Sequence, residues 1–285
     1  MGGYSGCNLS YVSHRILEGK PQLEGLPATF ADKETATTLE LTCVDNHIGM
    51  KVLLYYTAFC DTDVITRSVK IINEGTQAFY LTKVLSACLD MDNQDYEMIS
   101  LHGSWARERH IQRKKVGYGI QKVSSFRGES SHQDHPFLAL VSPNTTQEMG
   151  EVYAMNFVYS GNFQAQAEVS QFDSIRMSMG IHPENFCWKL EQGESFQAPE
   201  VVMVYSSQGL DGMTTAFHHL YKRHLIRGEY KDKKRPILIN NWEATYFNFT
   251  TEKLLSIAKE ASGLGIEMLV MDDGWFGARS SDNCA

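Results

Sequence analysis

Pro236-Ile237-Leu238-Ile239-Asn240-Asn241-Trp242-Glu243 and Ile266-Glu267-Met268-Leu269-Val270-Met271-Asp272-Asp273-Gly274-Trp275-Phe276 are the two stretches that decide the fold of this 285-residue chain. Each opens as a short, mostly apolar run of strand length and ends in polar and aromatic residues. Between them, residues 251–262 set Leu254, Ile257, Ala258 and Ala261 on one face at helical spacing. Thr250 or Thr251 can cap that helix, Glu252 suits the positive end of its dipole, and Gly263-Leu264-Gly265 stops it. The order strand, helix, strand predicts one right-handed crossover between parallel strands. The run 266–271 suits a strand buried on both faces.

Upstream, Asp211-Gly212 is expected to cap a helix over 213–226, where Met213, Phe217, Leu220, Tyr221 and His224 recur at helical spacing before Arg227-Gly228. A charged hinge, 229–235, follows it. Before residue 207 the period changes to two. Leu39, Leu41 and Cys43 alternate with Glu40 and Thr42, and Met50, Val52, Leu54 and Tyr56 share a face. Residues 64–72 put Ile65, Val69 and Ile71 on one side, and Asp45-Asn46-His47 and Asn73-Glu74-Gly75 supply the reversals of an antiparallel meander. Further strand-like runs lie at 79–86, 137–142, 152–159, 164–169 and 201–206, which together predict a large β-sandwich.

The expected organisation is therefore a β-rich domain over residues 1–208, incomplete at its start, a linker helix and hinge over 209–234, and a parallel α/β unit over 235–285. Two parallel strands and one helix cannot close a parallel sheet, whose faces and edges are normally covered, so the last unit reads as truncated. A β/α barrel needs about 250 residues.

Composition narrows the function. Hydrophobic residues make up 42% and charged residues 21% of the chain, which excludes a disordered or low-complexity protein. Lys and Arg total 26 against 34 for Asp and Glu, a net charge of -8, so there is no basic field for nucleic acid. No run of eighteen apolar residues and no signal-like start occur, which favours a cytoplasmic protein without membrane contact. Cys7, Cys43, Cys60, Cys88, Cys187 and Cys284 are scattered and contain no C-x-x-C, so they read as reduced packing residues.

The residues able to carry chemistry stand at the ends of the two parallel strands, where open sheets and barrels bind ligands. Asp272 and Asp273 offer adjacent carboxylates, and Trp242 offers an indole face for an apolar ligand or a sugar ring. A polar Asp-Gly turn and an ordinary core tryptophan would explain the same residues. Ser131-His132-Gln133-Asp134-His135 is too local for a catalytic triad, and His218, His219 and His224 lack the H-E-x-x-H pattern of a zinc site.

Asn241-Trp242-Glu243-Ala244-Thr245-Tyr246-Phe247 followed by Leu269-Val270-Met271-Asp272-Asp273-Gly274-Trp275-Phe276-Gly277 resembles the barrel opening of the bacterial α-galactosidases of glycoside hydrolase family 36, the melibiase and raffinase type. Tyr11-Val12-Ser13-His14-Arg15, Leu23-Glu24-Gly25-Leu26-Pro27, His102-Gly103-Ser104-Trp105-Ala106-Arg107-Glu108-Arg109 and Ser130-Ser131-His132-Gln133 resemble that family's amino-terminal β-supersandwich. The resemblance implies a supersandwich followed by the first βαβ unit of a truncated (β/α)8 barrel. It implies that Asp272 and Asp273 hydrogen-bond hydroxyls of a terminal galactose, that Trp242 lines the same subsite, and that Trp105 contributes from the sandwich, across a subunit interface in an oligomer. A homotetramer is the family expectation for the full-length parent, with an α-galactoside oligosaccharide as substrate and no metal or cofactor.

Hydrolysis in this family retains configuration and needs a nucleophilic carboxylate and an acid/base carboxylate about 5 Å apart. The resemblance places the nucleophile in a Lys-Trp-Asp motif on a later barrel strand and the acid/base on a still later one, and neither motif occurs here. The chain by itself is thus expected to be catalytically incompetent, with no catalytic residue of its own. A non-catalytic carbohydrate-binding sandwich, or another α-glycosidase of the same clan, would also be compatible with the residues present.

Overall fold

Alternating side chains and turn residues produce strands along most of the chain, and the computed structural model, which describes residues 6–284, shows eighteen of them among those residues. They are β1 (Ser10–Glu18), β2 (Ala36–Asp45), β3 (Met50–Phe59), β4 (Val64–Asn73), β5 (Phe79–Leu81), β6 (Leu85–Asp92), β7 (Glu97–Ser104), β8 (Arg107–Lys115) and β9 (Gly119–Ser125). There follow β10 (Phe137–Val141), β11 (Val152–Val158), β12 (Phe163–Val169), β13 (Ser174–Ile181), β14 (Trp188–Leu190), β15 (Ser195–Gln197), β16 (Glu200–Ser206) and helix α1 (Gly209–His224). The remainder is β17 (Leu238–Asn240), α2 (Trp242–Thr245), α3 (Thr251–Gly263) and β18 (Met268–Val270). Two compact units result, Met1–Ile226 and Arg227–Ala285.

The first unit is built on one antiparallel sheet of order β1-β2-β3-β4-β16-β11-β10-β7-β8, with β15 also on β4. Its central strands are apolar on both faces because both faces are covered. From β10, Leu138 and Leu140 pack with Phe163, Ala165, Met177 and Met179 of the small sheet β12-β13-β6. The alternate residues Ala139 and Val141 pack with Met213, Phe217 and Leu220 of α1. The helix expected to link the two parts is therefore packed into the core of the first.

Leu220 is fully buried in this seam. Leu220→Ala should cost about 2–5 kcal/mol, read as a lower urea midpoint with an unchanged slope. An unaltered midpoint would mean that α1 does not stabilise the sheet.

Several local expectations change. Helix α1 begins at Gly209 behind Gln208, which makes no side-chain cap, so Asp211 and Gly212 lie inside the first turn rather than capping it. Ser206 Oγ takes the Gln208 N–H at 3.1 Å and donates to Gly209 O at 3.0 Å, fixing the entry one turn earlier. In β4 Ile65 is exposed while Val69 and Ile71 are buried. Val64 packs under α1, whereas Val69 and Ile71 pack under β5 and β14 on the other face, so the buried side switches along the strand. None of the six cysteines is buried, and all are free thiols.

The second unit contains the expected crossover. Strands β17 and β18 run parallel, with Leu238, Ile239 and Asn240 opposite Met268, Leu269 and Val270. Thr250 caps α3, its side chain accepting from the Lys253 N–H. Burial is the point of difference: Met268 and Met271 are exposed and Leu269 and Val270 half-buried, and Asn241 and Ala261 are the only buried residues among those described in this unit. With two strands and α3 to pack against, the apolar run 266–271 has too few neighbours to enclose it. Among the described residues no helix is long and apolar enough to cross a membrane.

Candidate active site

The carboxyl ends of β17 and β18 are joined by side-chain amides. Asn240 Nδ2 donates to Asp272 Oδ2 at 2.6 Å, and Asn240 Oδ1 accepts the Trp242 N–H at 2.7 Å, so one amide ties the tryptophan turn to the first aspartate. Asn241, fully buried, accepts the Asp272 N–H at 2.8 Å and donates to Thr245 Oγ1 at 2.9 Å. Trp242 is held edge-to-face against Phe247 and Tyr246, with ring centroids 4.9 and 5.4 Å away. Asp272, Asp273 and Trp242 are thus gathered at one end of the parallel pair.

The two aspartates are not equivalent. Asp272 Oδ1 accepts the Asp273 N–H at 2.8 Å, and Oδ2 accepts Asn240, which leaves about half of its lone-pair sites for a ligand. Asp273 is clamped by Arg279, whose Nη2 reaches Oδ2 at 2.8 Å and whose Nε reaches Oδ1 at 3.0 Å, and it also accepts the Gly274 N–H. The Arg279 hydrogen bonds hold the Asp273 carboxyl below the usual carboxylate range, against a smaller opposing effect of burial. Gly274 has φ +91°, and a Cβ there would stand 3.0 Å from the Phe247 ring, so the turn after the aspartates requires glycine.

Trp105 belongs to the first unit. It sits with Ala106 at the tip of the β7–β8 hairpin, between the paired Ser104 and Arg107, and is 85% exposed. Gly103 makes the tip possible: a Cβ would fall 2.3 Å from Arg107 O. Arg107, Glu108 and Arg109 begin β8, which is exposed along its whole length.

Asn240, Asn241 and Arg279 were missing from the sequence reading of the site. The two adjacent asparagines that follow an apolar run and directly precede Trp242 are the available signal; nothing local marks Arg279. Asp134 does meet a histidine, but it is His102 at 2.9 Å, whose other nitrogen meets Ser100 at 2.8 Å. Ser100 is fully buried, so this Ser-His-Asp chain braces strands and offers no reachable nucleophile. No group of three or more His, Cys, Asp or Glu among the described residues is placed to hold a metal ion.

Comparison with known proteins covers both units. The model for the glycosyl hydrolase family 36 N-terminal domain matches residues 1–191, and the melibiase model matches residues 195–285. The chain is 53% identical over 281 residues to α-galactosidase AgaA of Geobacillus stearothermophilus and 47% identical over 282 residues to α-galactosidase Mel36A of Lactobacillus acidophilus. These alignments take in 98% and 99% of this chain but 38% of each relative, so the chain spans well under half the length of the curated relatives it matches. The crystal structure of AgaA superposes with a TM-score of 0.97 at 52% identity over 99% of this chain and 40% of that one. Variants of the same enzyme have been solved in complex with stachyose and with raffinose. With both units matched in order and the sandwich and the start of the catalytic domain superposed, the chain belongs to glycoside hydrolase family 36.

Proposed function

We propose that the protein containing these residues is an α-galactosidase that releases terminal galactose from melibiose- or raffinose-type substrates with retention of configuration. The observation that carries this reading is the pair Asp272 and Asp273, held by Asn240, Asn241 and Arg279 beside Trp242 at the end of a parallel strand pair. Ionised carboxylates accept hydrogen bonds from vicinal hydroxyls, and an indole face packs against the apolar face of a sugar ring. In this reading Asp272, Asp273 and Trp242 bind galactose in the first βαβ unit of a (β/α)8 barrel. Trp105, exposed on its hairpin, adds a contact from the sandwich of a neighbouring subunit in a homotetramer. The protein acts in the cytoplasm, in keeping with its free thiols.

Residues 1–285 supply a binding wall and no catalytic pair, because adjacent aspartates on one turn do not flank a glycosidic bond. Purified 285-residue chain should therefore not hydrolyse an aryl α-galactoside, whereas the product of the complete reading frame should. Turnover by the chain that disappears in Asp272→Ala would overturn the division of labour, and an inactive complete protein would overturn the α-galactosidase assignment.

A further inference from the structure

The sandwich unit carries a concave site lined by aromatic and polar residues. A cavity of about 620 Å³ opens between residues 24–26, 159–162 and 181–188 and the edge formed by β15. That volume falls inside the range of roughly 300–1,000 Å³ typical of small-ligand pockets. Its apolar wall is aromatic. Phe196 is buried and braces two of its neighbours, with ring centroids 5.3 Å from Trp188 and 5.8 Å from Phe186. Trp188 itself is 50% exposed, so core packing fixes an indole that remains open to solvent.

The polar groups bordering this wall have spare hydrogen-bonding capacity. His182 is 4% exposed, and its Nδ1 accepts the Glu184 N–H at 3.0 Å, which assigns the ring proton to Nε2. That Nε2 is buried without a hydrogen-bond partner among the described residues, closed off from the cavity, so the histidine shapes the rim rather than meeting a ligand. Gln197 spends both amide hydrogens, on Val69 O at 3.1 Å and Ala198 O at 3.0 Å, and keeps its Oε1. Asn162 accepts the Gly128 N–H through Oδ1 at 2.7 Å and keeps its NH2 group. Glu24 and Glu184 stand against Lys70 in the lining, so the cavity has little net charge with which to hold an ion.

An aromatic platform, several mixed donors and acceptors and a small net charge select a neutral ligand with one apolar face and many hydroxyls. We propose that this cavity is a binding site for a neutral oligosaccharide, with one sugar ring stacked on Trp188 and its hydroxyls met by Glu184, Asn162 and Gln197. The site lies wholly within the first unit and does not depend on the roles given to Asp272 and Asp273.

Raffinose titrated calorimetrically into the folded 285-residue chain tests this. A saturable site should be seen that is abolished in Trp188→Ala, weakened about tenfold in Glu184→Ala, and unchanged in Phe172→Ala, an exposed aromatic outside the cavity. Glu184 is exposed, so its variant reads binding even if Trp188→Ala loosens the packing on Phe196. Binding that survives both cavity variants, or that is lost equally in Phe172→Ala, would overturn the proposal. So would the absence of saturable binding by chain shown to be folded by circular dichroism.

Discussion

Glu200→Ala is expected to destabilise the sandwich unit by about 3–5 kcal/mol, because it strips a buried ammonium of its counter-charge. Lys20 Nζ lies 3.1 Å from Glu200 Oε1, with side chains only 3% and 1% exposed. Thr29 completes the cage, its N–H donating to Oε2 at 2.7 Å and its hydroxyl to Oε1 at 2.9 Å. Glu200 begins β16, between β4 and β11, so the cage pins the segment after β1 to the middle of the main sheet. Lys20→Met should cost less than Glu200→Ala, since Glu200 keeps both Thr29 donors. The double variant Lys20→Met, Glu200→Ala should cost less than the two single changes summed, because no charge is left uncompensated, while the Thr29 N–H stays unpaired. Urea melts of the four proteins measure the coupling. Strict additivity of the two single changes would show that the ions do not stabilise each other.

Neither member of that cage was legible from periodicity, and the reason is general to this fold. The alternation in β2 favours Leu39, Leu41 and Cys43 as the inward set, yet these are only half-buried while Ala36, Thr38 and Glu40 on the opposite face are buried. Thr38 Oγ1 meets Thr57 Oγ1 at 2.8 Å and Gly19 O at 2.7 Å, and Glu40 takes Arg15 at 2.7 Å. Period-two reading identifies a strand correctly but assumes one buried face, and a sheet covered on both sides breaks that assumption. The strand pattern of β13 was present in Ile175, Met177 and Met179, all fully buried. By contrast β8, Arg-Glu-Arg-His-Ile-Gln-Arg-Lys-Lys, has no apolar alternation; its pairing with β7 across a two-residue tip defines it. The crossover at the end of the chain was read more easily, because caps, stop signals and apolar runs are all local there.

Asp272→Asn in the product of the complete reading frame should lower kcat/KM for an aryl α-galactoside by at least about a hundredfold, the larger effect of the two aspartates on the proposed reading. Asp272 has the free lone pairs, and the amide both removes the charge and turns one acceptor into a donor facing Asn240 Nδ2. If Asp272 binds a hydroxyl, one member of a set of monodeoxy galactosides should lose far less than the parent sugar. An equal loss across the whole set would assign Asp272 a purely structural role. Arg279→Met should act differently, through Asp273. The folded carboxyl of Asp273 titrates below its unfolded value of about 3.9, so its pairing is complete above that pH and is lost as the pH falls through the folded value. Removing the guanidinium should move the carbon-13 titration of Asp273 upward, towards the ordinary range, and lower kcat/KM through a displaced carboxylate rather than a missing one. A titration midpoint that does not move in Arg279→Met would show that the clamp does not hold Asp273 in solution.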